Sequence, residues 1–181
     1  NLGEVIDATI KRIDSPNCTL DSMLNIMPGP EFPTGGVIEG TKEIKEAYET
    51  GKGKIIVKSK YEVVTEKKKK QIIITEIPYE VNKAMLVKKM NDIRIDKKID
   101  GMSEVRDESD RNERVSIVTE LKRVARPQVI LNQLFKHTQM QDTFGIIMLA
   151  LVNGEPKILT LRQCLDEYIK HRKDVILRRT K

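Results

Sequence analysis

The stretch Ile55-Ile56-Val57-Lys58-Ser59-Lys60-Tyr61-Glu62-Val63-Val64, then Glu66 with Lys67 to Lys70, then Gln71-Ile72-Ile73-Ile74-Thr75-Glu76-Ile77, decides the fold class. Its first part alternates with period two. Ile55, Val57, Tyr61 and Val63 fall on one face of a strand, and Lys58, Lys60 and Glu62 on the other. The charged run reads as an exposed hairpin turn. The β-branched segment after it returns as a second strand. Antiparallel pairing is therefore expected at the centre of the chain.

Outward from this hairpin the pattern changes to helical spacing. Upstream, Thr41 to Tyr48 reads as a short helix closed by Gly51. Pro28 to Gly36 holds three prolines and three glycines in nine residues, so it is neither helix nor ladder but a shaped loop. Before it, Thr19 can cap a short helix running to Met27. Leu2, Val5, Ile6, Ile10 and Ile13 form one apolar helix face that ends at Ser15-Pro16. Downstream, Asn82 to about Lys97 is helical. Ser103 to Asp107 and Val115 to Leu121 read as strands, and Pro127 opens a helix to His137. Phe144 to Val152 reads as a buried strand, turned at Asn153-Gly154 and paired back by Lys157 to Leu159. From Leu161 a long amphipathic helix runs to the end. The expected fold class is α+β, with a mixed, mainly antiparallel sheet and packed helices.

Composition excludes several functions. The 181 residues carry a net charge of +6, and 39% are hydrophobic. That is too apolar for a disordered chain. The longest apolar run, Phe144 to Val152, falls well short of the ~20 residues of a membrane helix. Cys18 and Cys164 stand alone, so no zinc set of about four ligands is readable. No phosphate-cradling G-x-x-x-x-G-K-[ST] loop occurs. His137 and His171 have no nucleophile arranged with them, and packing or capping is their ordinary role. Arg106-Asp107-Glu108-Ser109-Asp110-Arg111 offers carboxylates to a divalent cation, but its arginines favour internal ion pairs. The chain begins without Met and stops inside a helical pattern, so a piece of a longer polypeptide is expected.

The basic charge has one candidate location. Lys52, Lys54, Lys58 and Lys60 share parity, and on one strand they would lie on one face about 6.6 Å apart. Such a row can meet phosphates and release counterions. A solvated outer face is the plainer reading of the same row. Ile6 belongs by periodicity to the apolar face of the first helix, where packing is the default. Residues alone thus give a basic α+β chain suited to nucleic-acid contact, with no visible catalytic centre.

Longer motifs go further. Pro28-Gly29-Pro30-Glu31-Phe32-Pro33-Thr34-Gly35-Gly36, Ala47-Tyr48-Glu49-Thr50-Gly51-Lys52-Gly53, Thr75-Glu76-Ile77-Pro78-Tyr79-Glu80-Val81-Asn82-Lys83, Arg106 to Arg111, Glu120-Leu121-Lys122-Arg123 and Arg178-Arg179-Thr180 appear in order along the whole chain. Together they resemble the A subunit of bacterial-type type IIA DNA topoisomerases, DNA gyrase and topoisomerase IV. Phe144-Gly145, Met148 to Leu151 and Gly154 to Lys157 look closer to the gyrase pattern. Glu31, Glu43, Lys52, Ile147 and Asn112-Glu113 depart from the usual residues of the family. These departures touch loop geometry and remove no catalytic group. Lys52 in place of Arg keeps charge but loses a bidentate fork.

The resemblance implies an ATP-dependent enzyme that cuts one duplex, passes a second through it and reseals, changing supercoiling. It implies a tower domain at 28–160, helices linking from an upstream winged-helix domain at 1–27, and the start of a coiled-coil helix at 161–181. The tyrosine nucleophile would lie upstream of Asn1; Tyr48, Tyr61, Tyr79 and Tyr168 all lack the preceding Arg of that motif. This chain would hold no cofactor, with ATP and Mg on a partner B subunit. Two A subunits would pair and form a heterotetramer with B on double-stranded DNA, away from any membrane. A bacterial cytoplasmic enzyme, or one of a plastid-type organelle, would fit. Ile6 matches an isoleucine that the family inserts between base pairs, and Lys52, Lys54, Lys58 and Lys60 would hold flanking DNA. The alternatives are a topoisomerase IV subunit, or a non-catalytic basic module binding nucleic acid or protein.

Overall fold

The computed structural model describes residues 1–66, 69–111 and 115–181. Lys67 and Lys68 of the lysine turn, and Asn112-Glu113, lie outside the described residues. The chain forms two compact units. One comprises Asn1–Glu31, Gly40–Ile55 and Phe144–Lys181; the other comprises Phe32–Glu39 and Ile56–Thr143. The α+β class expected from the alternating patterns is what the chain adopts, with six helices and antiparallel strands among the described residues.

The second unit is built on the sheet that the opening hairpin starts. Strands β3 (Lys60–Glu66), β4 (Lys69–Glu76), β5 (Met102–Asp107) and β6 (Ile117–Leu121) run in the order β3-β4-β6-β5. The β3–β4 register runs from Lys60↔Glu76 to Glu66↔Lys69. Two helices cover one face: α4 (Lys83–Ile95), capped by the Asn82 side chain on the Met85 N–H at 3.1 Å, and α5 (Pro127–His137). The core is assembled by parity. Ile72 and Ile74 of β4 and Ile117 of β6 are fully buried against Leu86, Met90, Leu131 and Leu134. Burying such a side chain contributes about 1.5–3 kcal/mol.

In the first unit, α1 (Leu2–Asp14), α2 (Leu20–Leu24), α3 (Thr41–Thr50) and α6 (Leu161–Thr180) are joined by the hairpin of β8 (Leu149–Val152) and β9 (Glu155–Ile158). Thr160 and Gln163 form a reciprocal capping box that starts α6. Gly51 ends α3 with φ +79°; a Cβ there would stand 2.4 Å from the Leu159 carbonyl oxygen, so only glycine fits. Strands β1 (Val37–Glu39), β2 (Lys52–Lys58) and β7 (Gln141–Ile147) form a third sheet in the order β1-β2-β7.

Four expectations need correction. The single strand expected from Ile55 to Val64 is two strands, β2 and β3, in different sheets. Ser59 between them is 2% exposed and donates its N–H to the Met140 carbonyl at 2.7 Å. The alternation continues through Ser59 because that residue stays buried in phase, which hides the break. The buried strand expected from Phe144 to Val152 is likewise two strands, β7 and β8, with Met148 between them and Ile147, Leu149 and Leu151 exposed. A continuous apolar run is compatible with double-sided burial, but this one covers only one face. The helix expected to reach Met27 stops at Leu24, and β1 is too short to carry an alternating signature in the sequence. The apolar face of α1 is not a buried face. Ala8 and Thr9 are the residues it buries, while Leu2, Ile6, Ile10 and Ile13 stay exposed.

Candidate nucleic-acid interface

The four lysines of the expected row separate into two pairs, each in its own unit. Lys52 and Lys54 start β2 in the first unit, and both are exposed. They line an open groove with Glu46, Gly53, Gly145, Ile146 and Ile147. Among the described residues neither ammonium makes an ion pair or hydrogen bond. Gly53 is small because α3 passes against it: a Cβ there would sit 2.6 Å from that of Ala47. Gly145 faces open space, with nothing within 4 Å of where a Cβ would be. The groove therefore joins two cations that lie outside any ion pair among the described residues to the exposed backbone of Gly145, with the Glu46 carboxylate on the same lining.

Lys58 and Lys60, in the second unit, are already engaged. Lys58 Nζ is 2.7 Å from Glu39 and 5.3 Å from the centroid of the Phe135 ring. Lys60 Nζ is 3.1 Å from Glu76. Glu76 also accepts the Gly36 N–H at 2.6 Å. That backbone bond, with Lys60, holds its carboxyl below the usual glutamate range although burial works the other way. The pair thus ties the loop ending at Gly36 to the end of β4.

Ile6 is 49% exposed on α1. It borders an apolar groove lined also by Leu2, Ile10, Met148, Leu165 and Tyr168. Arg12 Nε and Nη2 hold Asp166 of α6 at 2.7 and 2.9 Å, which fixes α1 on α6 while leaving the stripe around Ile6 uncovered.

Among the described residues no catalytic constellation accompanies these features. Among the described residues no three His, Cys, Asp or Glu side chains gather as a metal site. Asp107 and Glu108 of the acidic motif are held in ion pairs. Arg106 reaches Glu104, Glu108 and Glu120 at 2.7–2.9 Å, and Glu120 is held below the usual range chiefly by that guanidinium. Burial pushes the Asp107 carboxyl up, but Ser109 and Lys83 outweigh it and hold it low. Three of the four tyrosines are buried or lie against another ring, and Tyr168 is exposed on α6. Tyr48 is buried, and burial raises its phenol pKa, the wrong direction for a nucleophile. Tyr61 and Tyr79 lie against Phe135 and Phe32. His137 is an exposed residue in the last turn of α5. Among the described residues no helix is long and apolar enough to cross a membrane.

Gly145 is the part of the groove that the sequence reading misses. It falls inside a run read as buried and apolar, although a lone glycine inside a strand pattern is a signal of close backbone approach.

The chain is 52% identical to the A subunit of Bacillus subtilis DNA topoisomerase 4, over 99% of its own residues. It is 54% identical to the A subunit of Clostridium acetobutylicum DNA gyrase, over the same share. It is 50% identical to the A subunit of DNA topoisomerase 4 from Streptococcus pyogenes serotype M1, over its full length. In each case it spans 22% of the relative's length. The model of the DNA gyrase/topoisomerase IV A-subunit family matches residues 1–181, and the chain belongs to that family.

Proposed function

We propose that this chain is the DNA-supporting part of a type IIA topoisomerase A subunit, and that it binds and bends the duplex that is cut. The observation that carries the reading is the pair Lys52 and Lys54, outside any ion pair among the described residues, beside the open backbone of Gly145, in a chain of this family. Each ammonium placed on a phosphate releases a counterion. Ile6 is the wedge. It is half-exposed on a helix fixed by Arg12 and Asp166, so it can enter a base step without unfolding α1. Unstacking one step costs a few kcal/mol, offset by contacts that bent DNA makes. Lys58 and Lys60 are weaker contacts, because each must leave a carboxylate to meet a phosphate.

Strand cleavage, in this reading, uses a tyrosine outside the 181 residues, since the burial of Tyr48 and the ring contacts of Tyr61 and Tyr79 favour structural roles. ATP hydrolysis and Mg binding belong to the partner B subunit, and two A subunits pair with two B subunits on bacterial cytoplasmic DNA. Gyrase and topoisomerase IV relatives match at similar identity, so both supercoiling and decatenation are assayed. The full-length polypeptide carrying this chain, with its partner and ATP, is expected to change DNA topology; no change in either assay overturns the reading. In the 181-residue chain, Lys52→Gln with Lys54→Gln is expected to flatten the slope of log K against log salt by about 1.8, at ~0.9 per phosphate. An unchanged slope removes the groove from the interface.

A further inference from the structure

In the second unit, the connection from β6 to α5 is a tight turn. The Ala125 N–H donates to the Lys122 carbonyl at 2.9 Å, so Arg123 and Val124 occupy its two central positions. Turn centres favour Gly, Asn, Asp and Ser; a β-branched residue there has no backbone reason. Val124 is 91% exposed, more than any other large hydrophobic among the described residues. Arg123 and Arg126 flank it, both exposed, and neither guanidinium makes an ion pair or hydrogen bond among the described residues.

The turn is nevertheless held firmly. Lys122 N–H donates to the Gly101 carbonyl at 2.8 Å, and its ammonium sits 2.7 Å from Asp100. Lys70 Nζ donates to the Ala125 carbonyl at 3.0 Å. Ala125 is buried over Gly101, where a Cβ would come within 3.0 Å of it. Four anchors thus fix a tip that presents one bare apolar side chain between two free guanidiniums, with the Lys70 ammonium behind it and the Lys122 ammonium neutralised by Asp100.

We infer that the Lys122–Arg126 turn is a second duplex contact, separate from the Lys52–Lys54 groove, in which Arg123 and Arg126 take phosphates or the narrow groove edge and Val124 packs on sugar and base edge between them. Guanidinium is the weakly hydrated cation that forks onto phosphate, and an apolar residue between arginines suits the minor groove of a duplex. The inference rests on the duplex-binding reading above.

The test is duplex binding by fluorescence anisotropy across salt, with the 181-residue chain, Arg123→Gln/Arg126→Gln, Val124→Ser and Lys52→Gln/Lys54→Gln. The double arginine variant is expected to lose about tenfold in affinity and about 1.8 in salt slope, while its circular-dichroism melt stays unchanged. Val124→Ser is expected to weaken binding with the slope kept, the mark of an apolar contact. If the chain binds and the lysine variant loses its share, yet the arginine variant keeps the full slope, this turn is not a contact and the groove stands. If the unaltered chain does not bind duplex at all, both readings fail together. If polyglutamate competes as well as duplex at equal charge, the turn belongs to an acidic protein surface and the nucleic-acid assignment is overturned.

Discussion

The inner face of β4 and the apolar face of α1 carry the same residue type and opposite fates. Ile72 and Ile74 are wholly buried, whereas Ile6, Ile10 and Ile13 are about half exposed. Both stretches show clean periodicity. The difference lies in what each element packs with. β4 has strands on both edges and two helices over one face. α1 meets its unit through the small residues Ala8 and Thr9 and the ion pair from Arg12. Periodicity therefore identifies a face, and the neighbouring elements decide whether that face is core or remains available for binding.

The largest effect should come from the β4 side. Ile74→Ala is expected to lower stability by about 2–5 kcal/mol, read by urea denaturation, because the fully buried site leaves a cavity. A loss below ~1 kcal/mol would mean that β4 is no better packed than α1 and would end the contrast. Next is α1 itself. Ala8→Leu, at a position with no exposure, should cost about 1–3 kcal/mol by overpacking. A neutral result would place the packed face of α1 elsewhere.

How much of this is legible in the sequence follows from the same contrast. The hairpin β3–β4, the helix that follows Asn82, the start of α5 at Pro127 and the turn at Asn153-Gly154 are readable, because each rests on local patterning confined to one short stretch. The breaks at Ser59 and Met148 are not. Both keep the alternation in phase, and only a distant hydrogen-bond partner, Met140 for Ser59, reveals the change of sheet. The lysine row is legible as parity. The carboxylates that neutralise Lys58 and Lys60 come from 19 and 16 residues away in sequence, at Glu39 and Glu76, and no local pattern reports them.

The exposed stripe gives a smaller but sharper effect. Ile6→Ala and Ile10→Ala should each change stability by less than ~1 kcal/mol, since neither is a core residue. Their functional effects should differ. Ile6→Ala is expected to abolish bending of a doubly labelled duplex, read by energy transfer in the full-length polypeptide, while Ile10→Ala leaves it intact. Equal effects would make the stripe a general apolar surface and remove the wedge role from Ile6.

The smallest effect separates two ways of holding β4. Ile72 and Ile74 fix the strand by buried area, which is indifferent to pH. Glu76 fixes its end by charge, accepting from Gly36 and Lys60. Its folded pKa lies below the unfolded value, so its contribution is complete above the unfolded pKa of about 4.3. That contribution is lost as pH falls through the lower folded value, when the carboxylate protonates and both donors lose their anion. Glu76→Gln should therefore lower stability slightly near neutral pH and flatten its decline below about pH 4.3. The carboxylate is a third exposed, so solvent keeps the difference small. Denaturation midpoints collected from about pH 3 to 7 read it directly. Parallel curves for the two proteins would mean that Glu76 holds the Gly36 loop by shape alone, as Ile74 holds the sheet.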